Sequence, residues 1–476
     1  MKPIAFEDFE PAPGHVIEWT ISGETAAAAQ AAPADTAPLS YNQQLHLASY
    51  LALTDAGQPG NPWIGVAFDL PGNVDADALG RAFTAFVRRH DALRCGFRPS
   101  ATGIDRVTLP AEEVTLQRTE GRDFSTTEEL FAHIDQSFLA GTNPFGFGPY
   151  VLSVITRESG STIAMAMDHT VSDGYSLALA VNDVHELYLA DVESRPADLA
   201  ETGDFAEHAA LEISSGETLT DDDAGVQRWR EFIRRCGGTG PTFALDLGVE
   251  PGRAYDQDVF NTMLMSDEEA DAFDAVCRAN GSSLFPGLLA AMAIVLREMT
   301  GTEDFRSVTP LHTRFKPKWR AAMGWFITCA PLEFTTSGAD GFTDVLGRAG
   351  ASLRGTLGNS KYPASKVIAL LGDEFRPTRR DMFSMVSYID YRKMAGAERQ
   401  ARSNPVTLGQ TLQADDSHVW TSRVHDGVHV AIRYPVTPQG PAMIQEYTDR
   451  IRAVLCRVAV AGDYPIPTDA MVPSHA

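Results

Sequence analysis

Met167-Asp168-His169-Thr170-Val171-Ser172-Asp173-Gly174 is the stretch on which the reading of this chain turns. A histidine followed four residues later by Asp-Gly puts a base, a carboxylate and a turn into one short segment. Ser161 to Met167, just before it, alternates β-branched and apolar residues as a strand does. Tyr175 to Ala190, just after it, carries Leu177, Val181, Val184 and Tyr188 at helical spacing. His169 is therefore predicted at a strand-to-helix junction. An imidazole with a pKa of about 6.5 takes a proton from a hydroxyl or an amine at neutral pH and returns it to a leaving group, as acyl transfer requires. The same residues also fit a plainer reading. Ser172 or Asp173 ahead of a periodic apolar segment is what a helix N-cap looks like.

The rest of the chain narrows the choice. Its 476 residues predict two domains of ordinary size, and 44% hydrophobic with 21% charged residues is the composition of a globular protein. Sixty-three acidic against thirty-nine basic residues leave a net charge of -24, which repels phosphate backbones and argues against nucleic acid as a partner. Met1 to Gly14 carries acidic residues and prolines where a signal peptide has basic residues and an apolar core. The longest strongly apolar run, Leu288 to Leu296, is far short of the roughly 20 residues of a membrane helix, so no transmembrane segment is expected. Cys95, Cys236, Cys277, Cys329 and Cys456 show no CxxC pairing and no histidine at ligand spacing, which points away from a metal site and a disulfide framework and toward a reducing cytoplasm.

An Ala/Pro-rich segment precedes Leu39 to Tyr50, where the folded part is expected to open. A strand at Gly65 to Leu70 and an amphipathic helix from Val74 to His90 follow, the helix burying Leu79, Phe83, Phe86 and Val87. Short strands are predicted at Arg106 to Leu109, Val114 to Arg118 and Tyr150 to Thr156, with a helix at Thr127 to Leu139. Composition shifts toward Asp, Glu, Ser and Thr from Asp191 to Gly225, so residues 191–225 are taken as a linker between domains at 1–190 and 226–476. In the later half, helices are expected at Asp267 to Asn280 and Leu284 to Thr300, and strands at Phe305 to Thr309, Phe326 to Phe334 and Phe383 to Ile389. Val419 to Val424 and Val428 to Tyr434 flank the turn signal His425-Asp426-Gly427, and a last helix runs from Pro441 to Val460. No P-loop, GxGxxG or GxSxG element supports a nucleotide-binding or serine-hydrolase reading.

Five separated segments, in order, resemble the condensation-domain superfamily, which includes chloramphenicol acetyltransferase and the polyketide-associated acyltransferases of actinobacteria. Pro38 to Gln44 is similar to the family's opening motif, and Arg88-Arg89-His90-Asp91-Ala92-Leu93-Arg94 to its RHxxLR helix end. Asp168 to Gly174 is similar to the active-site motif, Gly324 to Pro331 to the crossover strand, and Ser387 to Arg392 to a late strand of the polyketide-associated branch. The resemblance implies an α+β fold of two chloramphenicol-acetyltransferase-like mixed-sheet domains in a V-shaped arrangement with a tunnel between them. It gives His169 the role of general base toward a thioester carbonyl. It makes Asp173 a structural carboxylate that pairs with an arginine from the second domain, for which Arg314 is the candidate, and places Gly174 at the turn beside them.

Two departures stand out. Peptide-synthetase relatives carry two consecutive histidines in the motif where position 168 here is an aspartate, which favours ester-forming relatives. The DFGWG element of the plant branch is absent, with Gly409-Gln410-Thr411-Leu412 in the comparable region. Tyr175 and Ser176 are expected to line the substrate path. Lys316, Lys318 and Arg320, with Arg376, Arg379 and Arg380, form a basic group able to meet the phosphates of coenzyme A or a carrier protein, or simply a solvated face. His90 is expected to pack or hydrogen-bond, and His425 and His429 to be exposed residues of the sheet and not ligands.

The function so implied is transfer of an acyl group from acyl-CoA or an acyl-carrier-protein thioester to a hydroxyl of a lipid, sugar or secondary-metabolite acceptor. No bound cofactor or metal is expected; the thioester, delivered by coenzyme A or by a carrier protein of a polyketide synthase, is a co-substrate, and the enzyme is a monomer. Amide formation on the same histidine and a catalytically silent carrier-binding module are the alternatives.

Overall fold

The computed structural model describes residues 1–57, 63–101, 103–410 and 412–466. Within them the chain forms two compact units, each built on its own mixed sheet. One comprises Met1–Thr218, Arg314–Phe326 and Lys393–Gln410, and the other Leu219–Thr313, Ile327–Arg392 and residues 412–466, in each case as far as they are described.

The first unit carries an eight-stranded sheet in the order Lys2–Ala5, Val406–Gly409, Trp63–Leu70, Gly160–Asp168, Tyr150–Arg157, His15–Ile21 and Leu116–Arg118, with Arg122–Asp123 also on His15–Ile21. Its centre is the antiparallel pairing of Trp63–Leu70 with Gly160–Asp168, in register Trp63 to Asp168 through Leu70 to Ser161. Both strands are almost wholly buried, which is why they read as apolar runs. Phe6, Phe9, Trp63, Phe138, Val151 and Ile155 fill a core on this sheet. The helix Ala76–Arg89 buries Leu79, Phe83, Phe86 and Val87, the stripe its spacing predicts, and Asp75 caps it by accepting from the amides of Asp77 and Ala78.

The second unit carries a seven-stranded sheet in the order Ile327–Thr335, Asp304–His312, Met385–Asp390, His418–Val424, Gly427–Pro435, Tyr255–Ser266 and Gln413–Ala414. The hairpin falls where the turn signal places it. Gly427 has φ +152, and a Cβ there would lie 2.1 Å from the Met265 carbonyl oxygen, so the position excludes a side chain. The helix Leu284–Thr300 buries twelve of its residues, and Leu288 to Leu296 is thus a core segment. Among the described residues no single helix is long and apolar enough to cross a membrane.

Three expectations need correction. The folded part begins at Lys2, not at Leu39: Lys2–Ala5 adds in parallel to Val406–Gly409, and His15–Ile21 pairs with Tyr150–Arg157. The intervening prolines and acidic residues mask these short strands in the sequence. The stretch taken as a linker contains the helix Phe205–Glu217, which belongs with the first unit and buries Phe205, His208 and Ala209. The units are also not consecutive in sequence. Arg314–Phe326 and Lys393–Gln410 return to the first unit, because Val406–Gly409 completes its sheet and Gln400 donates to the Ala178 carbonyl at 3.2 Å. Thr411, in the region compared with the plant-branch element, lies outside the described residues.

Leu289 is fully buried in the core of the second unit. Leu289→Ala is expected to destabilise that unit by about 2–5 kcal/mol, seen as a lower midpoint in urea unfolding followed by circular dichroism.

Candidate active site

The strand Gly160–Asp168 ends in a single 3-10 turn, His169–Val171, and the helix Gly174–Val192 begins three residues later. Side chains organise each bend. Asp168 accepts from the amide of Thr170 at 2.8 Å and from its hydroxyl, which closes the turn. Asp173 accepts from the amide of Ser176 at 2.7 Å, which caps the helix. The cap suggested by pattern is real, and it coexists with a second set of contacts that no cap requires.

Both Asp173 and Arg314 have side chains 1% exposed, and they meet in a two-pronged pair, Nη1 to Oδ2 at 2.8 Å and Nη2 to Oδ1 at 3.1 Å. The Phe326 amide also donates to Asp173 Oδ2 at 2.9 Å. Arg314 Nη2 donates further to Ser176 Oγ at 2.8 Å and to the Ala322 carbonyl at 3.3 Å. Its guanidinium lies between the rings of Tyr175 and Phe326, 4.4 and 4.3 Å from their centroids. Burial alone would push the Asp173 carboxyl up. The charge and hydrogen bonds of Arg314, with those of Ser176, overcome it and hold Asp173 below its ordinary value.

The segment carrying Arg314 returns past the same helix. Ser176 Oγ donates to the Gly324 carbonyl at 2.9 Å and accepts from the Gly324 amide at 3.2 Å. Gly324 has φ +143, and a Cβ there would come within 2.4 Å of the Phe205 ring, so close packing and backbone conformation both demand glycine. Arg314 therefore comes from the later half of the sequence but belongs with the first compact unit.

His169 is partly buried, and its ring stacks on Trp325 with centroids 3.8 Å apart and planes 28° from parallel. Its Nδ1 is buried without a hydrogen bond of good geometry. The packing around the ring, then the neighbouring His46, push its pKa down to about 4, while its own main-chain carbonyl and the more distant Asp173 and Asp168 oppose them weakly. At neutral pH the imidazole is thus uncharged, with a lone pair available to a proton.

The other residues singled out in the sequence fall elsewhere. Ser176 is fully buried with its hydroxyl occupied, and Tyr175 lies against the guanidinium, so both serve the Arg314 contact; the expectation that Ser176 lines a substrate path is corrected by that burial. Lys316 and Lys318 are exposed and share one carboxylate, Glu207, at 3.0 Å from Lys316. Arg320 is exposed nearby in sequence. Arg379 donates to the Asp415 carbonyl at 2.6 Å and Arg376 to that of Asp373 at 3.1 Å, both in the second unit. His90 is buried against Asp183 at 3.1 Å, and Asp91 of the same motif accepts from the amides of Phe205 and Ala206, starting the helix Phe205–Glu217. The expectation of two exposed sheet histidines is corrected: His429 lies on the strand Gly427–Pro435 but is buried, 2.9 Å from Asp426, and His425 is exposed in the turn between the strands. Among the described residues no group of three or more His, Cys, Asp or Glu is placed to hold a metal ion.

Two residues at the site escaped sequence reasoning. His46, on the helix Tyr41–Asp55, places Nε2 2.9 Å from Asp168 Oδ2. Gln43, one turn earlier, donates to the Thr170 carbonyl at 2.9 Å. Their i, i+3 spacing puts both on the helix face that meets the histidine turn, a signal present in the sequence but unreadable without knowing what that face meets.

The sequence and the fold have known counterparts. A model of the condensation domain matches residues 61–472. The chain is 25% identical to acyltransferase PapA3 of Mycobacterium tuberculosis over 468 residues, covering 96% of each. It is 28% identical to trehalose-2-sulfate acyltransferase PapA2 of Mycobacterium bovis over 461 residues, covering 95% of this chain and 96% of the other. A solved structure described as PapA2 acyl transferase superposes with a TM-score of 0.87 at 25% identity, covering 97% of this chain and 100% of that one. The first condensation domain of the calcium-dependent antibiotic synthetase shares the fold, with a TM-score of 0.67 at 18% identity, covering 90% and 97%.

Removing Arg314 would leave Asp173 as a buried carboxylate without its counter-charge. Arg314→Ala is expected to cost about 3–5 kcal/mol in urea unfolding at pH 7. The folded-state pKa of Asp173 is depressed, so its stabilisation is present above the unfolded value of about 3.9 and is lost as pH falls through the folded one. The variant's carboxyl takes up a proton at higher pH than the wild type's, and the stability difference between the two is expected to narrow as the pH is lowered toward about 4.

Proposed function

We propose, on the premise that this chain belongs to the condensation-domain family and is an acyltransferase, that it moves an acyl group from a coenzyme A or carrier-protein thioester to a hydroxyl, with His169 as general base. The observation that carries the reading is the uncharged imidazole of His169, held by stacking on a turn that is fixed from both sides. A base must be unprotonated before it can act, and this one is unprotonated throughout the neutral range.

In this mechanism the proton of the neutral ring is assigned to the buried Nδ1, and Nε2 offers its lone pair to the acceptor. As the acceptor oxygen attacks the thioester carbonyl carbon, its proton passes to Nε2 and a tetrahedral intermediate forms. Collapse breaks the C–S bond, and the thiolate takes the proton back from the imidazolium, giving ester and free thiol with no acyl-enzyme. Asp173 and Arg314 touch neither proton. They keep the helix start and the Gly324–Phe326 segment in place around the histidine.

The thioester, with its coenzyme A or phosphopantetheine arm, enters as co-substrate. Lys316, Lys318 and Arg320 are the exposed cations assigned to a phosphate-bearing donor or the acidic face of a carrier protein; Glu207 pairs with both lysines, and Asp204 and Glu201 also bear on Lys318, so a donor would have to compete with these carboxylates. A sugar hydroxyl is the acceptor class favoured by the names of the relatives, one of which is a trehalose-2-sulfate acyltransferase.

His169→Ala is expected to lower kcat/KM for thioester consumption by at least about 10²-fold while leaving the urea midpoint unchanged; unaltered turnover would overturn the mechanism. With matched alcohol and amine acceptors, mass spectrometry is expected to show ester from the alcohol and no amide. In the wild type kcat/KM is expected to be level between about pH 5 and about pH 8 with respect to this group, and to fall as the pH nears about 4 and His169 takes up a proton.

A further inference from the structure

Nothing in the histidine motif by itself fixes the plane of the His169 ring, because Nδ1 makes no hydrogen bond of good geometry. The ring is held by its neighbours. Trp325 covers one face at 3.8 Å and also stands edge-to-face against His46, with centroids 5.6 Å apart and planes at 85°, while His46 itself lies 6.4 Å from His169 between ring centroids. His46 is fastened in turn to Asp168, Nε2 to Oδ2 at 2.9 Å, with side chains 8% and 1% exposed. Asp168 Oδ1 is occupied by Thr170, so the remaining oxygen faces His46. Asp168 is also the residue bonded covalently to His169. The contacts therefore form a closed ring: Asp168, His46, Trp325, His169 and back along the chain.

We propose that His46 is a positioning residue of the acyl transfer: anchored on Asp168, it holds Trp325 against His169 and so fixes the direction in which the imidazole presents its lone pair. The inference rests on the reading of His169 as the base. It gives a purpose to the aspartate at position 168, where peptide-synthetase relatives carry a histidine. In this chain that position is the carboxylate, and the histidine comes from a separate helix.

The arrangement has an electrostatic side. The titratable groups that bear on His169 are His46 from the helix Tyr41–Asp55 and Asp168 and Asp173 from its own segment. Arg314, on the segment that supplies Trp325, is engaged with Asp173. Of these only His46 opposes a proton on His169. A histidine that merely filled space or satisfied Asp168 would be replaceable by glutamine with no change in how His169 titrates.

The test uses the full chain with His46→Ala, His46→Gln, Trp325→Ala and His169→Ala, each checked for an unchanged urea midpoint. Carbon-13 labelled histidine makes the His169 ring visible by NMR, and turnover is followed with the thioester and acceptor pair that the wild type uses. His46→Ala is expected to lower kcat by about 10- to 100-fold with the donor KM within about twofold, the scale expected of a misaligned group. It is also expected to raise the pH at which His169 titrates. Glutamine, which can still donate to Asp168, is expected to restore most of kcat and none of the titration shift. Wild-type kcat together with an unmoved His169 titration in both His46 variants would overturn the proposal, whatever His169→Ala does. Full turnover in His169→Ala would overturn the base reading, and the positioning role with it, while the NMR titration would still report whether the two rings are coupled.

Discussion

The buried pair of Asp173 and Arg314 is the contact on which the rest of the site depends. An ion pair with both members 1% exposed depends on further hydrogen bonds to offset the cost of burial, and of this pair's polar atoms all but Arg314 Nε find a partner. Here the carboxylate also caps the helix Gly174–Val192 and receives the Phe326 amide, while the guanidinium reaches Ser176 and the Ala322 carbonyl between two aromatic rings. One charge pair thus joins a helix start to a segment about 140 residues away in sequence. The constraint spreads through Ser176 to Gly324, whose backbone no other residue could adopt with Phe205 so close. Trp325 lies between Gly324 and Phe326, both held to this network, and the surface that stacks on His169 is positioned as a consequence.

Much of this was legible in the sequence, and the limits have physical causes. The strand, the turn and the helix around His169 follow from a change of period from two to 3.6, and local patterning carries that information well. The Asp173 and Arg314 pairing was legible only through resemblance, since no local rule connects residues so far apart. His46 stayed hidden for the same reason: a histidine in a helix reads as surface until the strand end that it meets is known. The polar stretch 191–225 misled because composition measures average polarity, whereas Phe205, His208 and Ala209 need only one buried face to make a helix part of a unit. The strands near the N-terminus were obscured by their shortness, since four residues such as Lys2–Ala5 pair well with a neighbour but leave almost no periodic signal.

The two carboxylates that flank His169 do not make it a permanently charged group. Left uncompensated, Asp168 on one side and Asp173 on the other would favour an imidazolium, as acidic neighbours do. Each is committed elsewhere: Asp173 to the guanidinium and two amides, Asp168 to Thr170 and the His46 ring. Their pull on His169 is accordingly the weakest of the influences upon it, and burial prevails. In the mechanism proposed, a proton accepted by this ring would be held loosely and given up readily to a departing thiolate, which acyl transfer needs in its second half as much as it needs a base in its first. The same compensation that makes the loop rigid keeps the histidine neutral, so structural support and chemical readiness in this site have a single origin.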